Sequence, residues 1–209
     1  MTLDEALGAC PIIAILRGVT ADEVAMTAEA LFDAGVRAVE IPLNSPSPLD
    51  SLARLARAMN GRMACGAGTV LNLENVEAAV AAGARFIVAP NVNPGVIEKA
   101  LARGAAPVPG FATATEAFTA LAAGAQILKL FPASAYGPAY LRALKSVLPA
   151  QARVLAVGGV GPPEMAAWQT VGVVGFGLGS EIYRPGQSAR ETLNKAARAV
   201  AAAAAPAAR

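Results

Sequence analysis

Short apolar runs alternate with amphipathic segments along almost the whole chain. The apolar runs favour buried strands, and the amphipathic segments carry apolar residues at helical spacing, several of them ending at a glycine. The predicted strands are 11–17, 37–43, 62–68, 85–90, 105–109, 126–132, 153–158 and 173–178. The predicted helices, after a short opening helix, are 21–34, 48–59, 73–82, 94–102, 114–123, 138–148, 163–170 and 189–204.

Eight strand–helix units without a break in composition predict one α/β domain, a (β/α)₈ TIM barrel over residues 1–209 with a short N-terminal helix. A chain of 209 residues is short for this fold, so its loops must be short. A doubly wound open sheet also fits, because the pattern cannot show closure. From about residue 199 to 209 the chain is alanine-rich and contains Pro206, so we expect the last helix to fray there.

The composition limits the possible cellular location of the protein and its possible binding partners. Although 55% of the residues are hydrophobic, no apolar run reaches the roughly 18 residues of a membrane span, and the acidic N-terminus does not resemble a signal peptide. Cys10 and Cys65 are too few for a disulfide framework or a zinc site, and Cys65 is expected in the core. The net charge of +2 is spread without a basic block. These features predict a cytoplasmic protein that binds neither nucleic acid nor membranes.

The chain contains no histidine. This excludes Ser-His-Asp and Cys-His catalysis and removes the commonest metal ligand. An enzyme built on this chain must therefore use lysine, arginine, carboxylates, hydroxyls and backbone dipoles, and we predict no metal and no other cofactor.

Lys129 is the one lysine of four that lies in an apolar strand. Alternation places it on the same face as Ile127 and Phe131. Burial disfavours an ammonium group, so such a lysine tends to be neutral and nucleophilic toward carbonyls. The alternative is a lysine at a strand end whose amine reaches water.

Other candidate groups end the neighbouring strands. Active sites of barrels lie at the carboxyl ends of their strands, where this chain carries Arg17, Glu40, Thr69 and Lys129. Alternation directs Arg17, Glu40 and Lys129 into the mouth of the barrel. A purely structural alternative is an interior ion pair between Glu40 and Lys129.

Two glycine-rich turns, 156–161 and 175–180, follow the last two strands. Glycine lets backbone N–H groups approach a phosphate, and each turn leads to a helix N-terminus, which favours an anion. These turns are also where many barrels bind phosphate. They predict a phosphate site at Gly158, Gly159, Gly179 and Ser180, with a plain structural turn as the alternative.

Five motifs in order are recognisable as a set: ILRG (15–18), VEIPLNS (39–45), GAGTVL (66–71), LKLFP (128–132) and VGGV (157–160). Together they resemble the 2-keto-3-deoxy-6-phosphogluconate and phosphogalactonate aldolases. The resemblance implies a trimeric class I aldolase, a lyase of carbohydrate metabolism that releases pyruvate and glyceraldehyde 3-phosphate. It also implies a role for each candidate residue. Lys129 would form the Schiff base, Glu40 would transfer protons, Arg17 and Thr69 would hold the carboxylate, and the two glycine turns would hold the phosphate.

Two positions depart from the phosphogluconate branch, which typically has arginine in place of Asn44 and threonine in place of Val157. The chain therefore looks more like the phosphogalactonate branch, which implies cleavage of 2-dehydro-3-deoxy-6-phosphogalactonate in galactonate degradation. An apolar Val157 cannot bond the C4 hydroxyl, whose configuration distinguishes the two substrates. Three alternatives stay open: a phosphogluconate or dual-specificity aldolase, another lysine-dependent phosphosugar enzyme, and a non-catalytic phosphosugar-binding protein.

Overall fold

A computed structural model describes residues 1–205, which form one parallel sheet surrounded by helices. The strands are β1 (Ile12–Ile15), β2 (Ala38–Pro42), β3 (Ala64–Gly68), β4 (Phe86–Val88), β5 (Ala106–Val108), β6 (Gly110–Phe111), β7 (Ile127–Leu130), β8 (Arg153–Val157) and β9 (Gly175–Leu178). The helices are α1 (Leu3–Ala9), α2 (Val24–Asp33), α3 (Pro48–Ala58), α4 (Leu73–Ala81), α5 (Pro94–Ala102), α6 (Ala114–Ala122), α7 (Ala133–Lys145), α8 (Pro162–Gln169) and α9 (Ala189–Ala204). The predicted alternation of strands and helices is confirmed.

The sheet closes into a barrel at its fifth strand, which Pro109 divides into β5 and β6. β5 lies parallel to β4, and β6 lies parallel to β7, with Gly110 opposite Lys129. Proline has no N–H for a strand ladder, but the Pro109 carbonyl accepts the Lys129 N–H at 2.9 Å. The (β/α)₈ barrel is therefore confirmed and the open sheet is excluded. The predicted strand 105–109 is corrected to two short pieces.

The inside of the barrel is filled by one face of each strand. Its apolar contents are Ile13, Ile15, Ala38, Ala64, Phe86, Val88, Val108, Ile127, Leu155 and Val157, together with Leu3, Ala6 and Leu7 of α1. Helix α1 thus closes the amino end of the barrel. An ion pair of 2.5 Å between Asp4 and Arg153 holds it there.

The opposite strand faces pack against the helices. Ile12, Ala14 and Leu16 belong to one large outer core with Val24 and Leu31 of α2. The inward and outward faces predicted for the first two strands are therefore confirmed, and this phase directs Glu40 and Lys129 toward the interior.

Most predicted boundaries are shifted by a few residues, and the largest shift is at α7. Helix α7 begins at Ala133, directly after β7, and not at residue 138. Gly137 interrupts it with a φ of 75°, a left-handed value that glycine adopts without steric cost. The predicted tail, about residues 199–209, is helical as far as Ala204, and Pro206 and the residues after it lie outside the described range. In the described part of the chain, no helix is long and apolar enough to cross a membrane.

Candidate active site

Lys129 is the third residue of β7 and lies buried inside the barrel, with 7% of its surface exposed. Its Nζ is 4.7 Å from the centroid of the Phe131 ring. Burial lowers the pKa of Lys129; the Glu40 carboxylate opposes that shift and the Arg17 charge adds to it. The environment therefore favours the neutral, nucleophilic amine, and the alternative of an amine that reaches water is not supported.

Glu40 lies in the middle of β2 and is 3% exposed. Its carboxyl group packs directly over Gly68 at the end of β3, so that a methyl group added to Gly68 would come within 1.7 Å of Oε1. Burial raises the pKa of Glu40, while the positive charges of Lys129 and Arg17 oppose the shift. Gly68 thus provides the space in which this carboxyl group is held.

Glu40 and Lys129 affect each other's protonation without touching. Among the ion pairs within 4.0 Å that residues 1–205 form, none includes either side chain. The interior ion pair considered from the sequence therefore does not form. Sites of acid–base chemistry commonly contain two nearby groups whose pKa values are each shifted in the direction that favours the neutral form.

Arg17 follows β1 and lies exposed at the rim of the barrel mouth. Its Nη1 donates a hydrogen bond to Asn44 Oδ1 at 2.6 Å, and the N–H of Gly18 donates to Ser45 Oγ at 2.9 Å. These bonds tie the loop after β1 to the loop after β2 and hold the guanidinium in place. The remaining N–H donors of Arg17 suit a carboxylate.

Thr69 follows β3 with a φ of 56°, in the left-handed region that a β-branched residue rarely adopts. Hydrogen bonds on both sides hold this strained backbone: the Gly68 carbonyl accepts the Leu43 N–H at 2.8 Å, and the Val70 N–H donates to Val88 at 3.1 Å. Such strain clusters at functional sites. The left-handed conformation at the barrel mouth thus adds a structural reason to consider Thr69 part of the site.

A cleft of about 260 Å³ opens at the carboxyl end of the barrel. Its lining includes seven of the predicted site residues: Arg17, Lys129, Val157, Gly158, Gly159, Gly179 and Ser180. The other two predicted residues are Glu40, which lies against Gly68, and Thr69, which follows Gly68 in the sequence. The structure thus brings the predicted residues to one mouth of the barrel, with Lys129 and both glycine turns in the wall of the same cleft.

The glycine turns present free backbone donors. Within residues 1–205, the N–H groups of Gly159 and Ser180 donate no hydrogen bond to the backbone. Gly161, at the N-terminus of α8, differs because its N–H donates to Glu164 Oε2 at 2.9 Å. The Gly161 N–H belongs to a turn predicted to bind phosphate, but it already donates a hydrogen bond within the protein.

Val157 is the last residue of β8 and its side chain points into the barrel. It is 4% exposed and packs tightly on Gly177, where an added methyl group would lie 2.8 Å from a Val157 methyl. The side chain also lines the cleft next to Gly158. Val157 therefore presents only apolar atoms to whatever occupies the cleft.

Three residues that the sequence analysis did not single out contribute to the site. Gly68 makes room for Glu40, and the ring of Phe131 lies between Lys129 and Gly158, 3.1 Å from where a methyl group on Gly158 would be. Glu181 lines the cleft beside Ser180. The signal for Gly68 was available, because a glycine inside a strand often marks a close approach of another group.

Metal-ligating groups and thiols do not add to this site. Within the described range, no three His, Cys, Asp or Glu side chains are grouped so that they could hold a metal ion. Cys10 and Cys65 are free and buried, and burial raises the pKa of the Cys65 thiol to about 12. Cys65 is therefore a protonated core residue, as expected.

The fold and the cleft define a (β/α)₈-barrel protein with a buried lysine and a buried carboxyl group at its mouth. The sequence model of the "KDPG and KHG aldolase" family matches residues 3–198, and the chain belongs to this family. It is 52% identical to 2-dehydro-3-deoxy-6-phosphogalactonate aldolase of Escherichia coli (strain K12) over 187 residues, 90% of this chain and 91% of that protein.

Two further relatives agree with this assignment. A protein of Rhizobium meliloti (strain 1021) named probable 2-dehydro-3-deoxy-6-phosphogalactonate aldolase is 43% identical over 192 residues, 92% of this chain and 91% of that protein. The solved structure described as "Native KDPGal structure" superposes with a TM-score of 0.90 and 52% identity, covering 92% of this chain and 93% of that one. The family resemblance expected from the five motifs is confirmed.

Proposed function

We propose that this chain is a class I aldolase that cleaves 2-dehydro-3-deoxy-6-phosphogalactonate into pyruvate and glyceraldehyde 3-phosphate. The observation that carries the proposal is the buried Lys129 amine, held near the buried Glu40 carboxyl group at the mouth of the barrel. The relatives named 2-dehydro-3-deoxy-6-phosphogalactonate aldolase support the choice of substrate.

The reaction begins when the neutral Lys129 nitrogen attacks the C2 carbonyl of the substrate. Loss of water gives a protonated Schiff base, whose positive charge draws electrons from the C3–C4 bond. Because burial lowers the pKa of Lys129, the enzyme needs no external base to prepare this nucleophile. A lysine in water would be protonated and unreactive at neutral pH.

Glu40 performs the proton transfers. Its carboxylate accepts the proton of the C4 hydroxyl as C3–C4 breaks, which releases glyceraldehyde 3-phosphate and leaves the enamine of pyruvate on Lys129. Protonation of the enamine at C3 and hydrolysis then release pyruvate and restore the amine. Burial raises the pKa of Glu40, which makes its carboxyl group a better proton acceptor and donor near neutral pH than an exposed glutamate.

Substrate binding uses both ends of the cleft. Arg17, held by Asn44, and the hydroxyl of Thr69 bind the substrate carboxylate close to Lys129. Gly158, Gly159, Gly179 and Ser180 bind the distal phosphate through backbone N–H groups and the serine hydroxyl. The substrate thus spans the cleft, with its reacting carbons between these two anchors.

The setting belongs to the same proposal. The enzyme is a homotrimer that works in the cytoplasm, and its partners are the small phosphorylated sugar acid and its two products. The two free cysteines suit a reducing compartment. Leu49, Leu71 and Leu73, at or just before the starts of the neighbouring helices α3 and α4, are between 39% and 48% exposed and offer apolar contact area for another subunit. Light scattering of the protein as it elutes from a size-exclusion column should give a molar mass three times that of one chain.

The test is pyruvate release from the two C4-epimeric substrates, 2-dehydro-3-deoxy-6-phosphogalactonate and the corresponding phosphogluconate, measured side by side. We expect higher kcat/KM with the phosphogalactonate. A higher value with the phosphogluconate would make the chain an aldolase of the other branch. Release from neither substrate, with phosphate bound normally, would overturn the proposal in favour of another lysine-dependent phosphosugar enzyme or a non-catalytic phosphosugar-binding protein.

A parallel treatment with chelator separates the proposal from a metal-dependent aldolase. Activity should be unchanged by EDTA, because the protonated Schiff base supplies the positive charge that a metal would otherwise supply. Loss of activity that zinc or magnesium restores would contradict the Schiff-base mechanism.

A further inference from the structure

Glu181 places a carboxylate in the wall of the cleft, directly after Ser180. The Ser180 hydroxyl donates a hydrogen bond to Glu181 Oε1 at 3.1 Å. In the free protein, the hydroxyl expected to bind the distal phosphate is therefore engaged by the protein's own anion.

The position of the Glu181 side chain is set by the other glycine turn. Its Cγ is 3.6 Å from where a methyl group on Gly161 would be, so the stem lies against the N-terminus of α8. Glu164 already accepts the Gly161 N–H there. The N-terminus of α8 thus has two carboxylates beside it, where the helix dipole would otherwise favour an incoming phosphate.

The charge of Glu181 is not neutralised by a neighbour. Within residues 1–205 it forms no ion pair within 4.0 Å. The positive groups in the cleft wall are Arg17 and Lys129, which the proposed mechanism assigns to carboxylate binding and to Schiff-base formation. A phosphate dianion at the glycine turns would therefore meet a free negative charge at short range.

We propose that Glu181 sets the affinity of the cleft for phosphorylated ligands, by competing with the phosphate for Ser180 and by repelling its charge. This inference rests on the proposed function for its choice of ligand. The carboxylate weakens the binding of substrate and of glyceraldehyde 3-phosphate to a similar degree, since both carry the same phosphate. Its effect therefore falls on KM and on product affinity, while Lys129 and Glu40 continue to determine kcat.

The test compares the wild type with Glu181→Gln, which keeps the size of the side chain and removes its charge. Glu98→Gln is the matched control, because it removes the same charge from an exposed position on α5. Three quantities are measured: KM and kcat for the phosphorylated substrate, the dissociation constant of inorganic phosphate by calorimetry, and the half-saturating concentration of pyruvate in borohydride trapping.

We expect Glu181→Gln to lower KM and the dissociation constant of phosphate by about 3- to 10-fold, with less effect at high salt. Pyruvate trapping should be unchanged, because pyruvate carries no phosphate. An unchanged or raised dissociation constant for phosphate, a change equal to that of Glu98→Gln, or no phosphate binding by either protein would overturn the inference. If the wild type cleaves neither sugar acid, the proposed function fails, but the phosphate measurement still decides the role of Glu181.

Discussion

The two ends that we propose for the cleft, one for the reaction and one for the phosphate, are built from different chemical groups. At the reaction end, the working groups are ionisable side chains inside the barrel, Lys129 and Glu40, each less than a tenth exposed. At the proposed phosphate end they are backbone N–H groups of the glycine turns, such as that of Gly159, and the exposed hydroxyl of Ser180. One end thus depends on desolvation, and the other on backbone geometry.

Each construction fits its task. A nucleophilic amine must be neutral, and burial achieves this because a low dielectric disfavours charge. A phosphate that has to bind and then leave needs many weak donors that cost little to arrange. Substitutions of Lys129 or Glu40 should therefore lower kcat, whereas changes to the groups that bind the carboxylate or the phosphate should mainly alter KM. The following predictions test that division, beginning with the largest effect.

Replacing Lys129 should abolish catalysis. Lys129→Arg keeps a positive charge but offers no amine that can form a Schiff base, so we expect kcat to fall by about 10⁴-fold or more. Mass spectrometry after incubation with pyruvate and borohydride should find one pyruvyl group on the wild-type peptide containing Lys129 and none on the variant. Lys99→Arg, which changes a surface lysine paired with Glu77, is the control and should keep both activity and labelling. Labelling of the Lys129→Arg protein would contradict the assignment.

Removing the proton-transfer group should have a smaller effect. Glu40→Gln removes the group that transfers protons, so we expect kcat to fall by about 10²-fold. Because the shape of the side chain is kept, pyruvate should still be trapped, although more slowly. Gly68→Ala should also lower kcat although Glu40 is retained, because the new methyl group would occupy the position of its carboxyl group. Near wild-type turnover of Glu40→Gln in stopped-flow assays would reduce Glu40 to an electrostatic neighbour of Lys129.

The difference between Glu40 and Gly68 also shows what the sequence could reveal. Alternation along single strands was sufficient to direct Glu40 and Lys129 into the barrel, because side-chain direction is a local property. The contact between Glu40 and Gly68 joins two strands and depends on their register. The left-handed backbone of Thr69 likewise depends on bonds from neighbouring strands, which no local pattern specifies.

Barrel closure follows the same logic. Eight repeats predict the number of units, but whether the sheet closes depends on how the fifth strand passes from β4 to β7 through Pro109. The motifs indicated correctly that the two glycine turns lie at the mouth of the barrel, where they line the cleft, and their binding of phosphate stays a prediction. They could not show that Glu164 already occupies the Gly161 N–H, because a helix cap and an anion site use the same donors.

The charges at the reaction end should shift the pH dependence of Schiff-base formation in opposite directions. The rate of pyruvate trapping falls at acid pH as Lys129 gains a proton. Glu40 raises the pKa of Lys129 and Arg17 lowers it, so Glu40→Gln should move this acid limb to lower pH and Arg17→Gln should move it to higher pH.

The measurement is the trapping rate at saturating pyruvate across the pH range, with Arg142→Gln on the exposed surface of α7 as the control. Shifts of Glu40→Gln and Arg17→Gln in the same direction would show that these charges do not act on Lys129 as described.

Thr69 should separate binding from stability. Thr69→Gly removes the hydroxyl, so we expect the half-saturating pyruvate concentration to rise by about 2- to 10-fold, the equivalent of one hydrogen bond. The free energy of unfolding should change by less than about 1 kcal/mol, because relief of the left-handed strain offsets the flexibility that glycine adds. Thr69→Ser keeps the hydroxyl and should bind pyruvate as the wild type does. A loss of binding with Thr69→Ser as large as with Thr69→Gly would mean that the hydroxyl is not the contact.

The smallest expected effect concerns the choice between epimers, at the boundary between the two ends. Val157 lies at the end of β8, lines the cleft next to Gly158 and presents only methyl groups to it. Val157→Thr changes little volume but adds a hydroxyl that can bond an oxygen at C4 of one epimer and not of the other. Such a bond contributes about 0.5–1.5 kcal/mol, a factor of roughly 2–10 in relative kcat/KM. We expect the ratio to move toward the phosphogluconate, with both epimers still cleaved because Lys129 and Glu40 are unchanged.

The check is kcat/KM on both substrates for wild type and variant, with Val157→Ala as the control that removes volume without adding a donor. If the ratio stays constant, or moves toward the phosphogalactonate, Val157 does not sense C4, and the preference must arise from contacts at the rim, such as the Arg17–Asn44 pair.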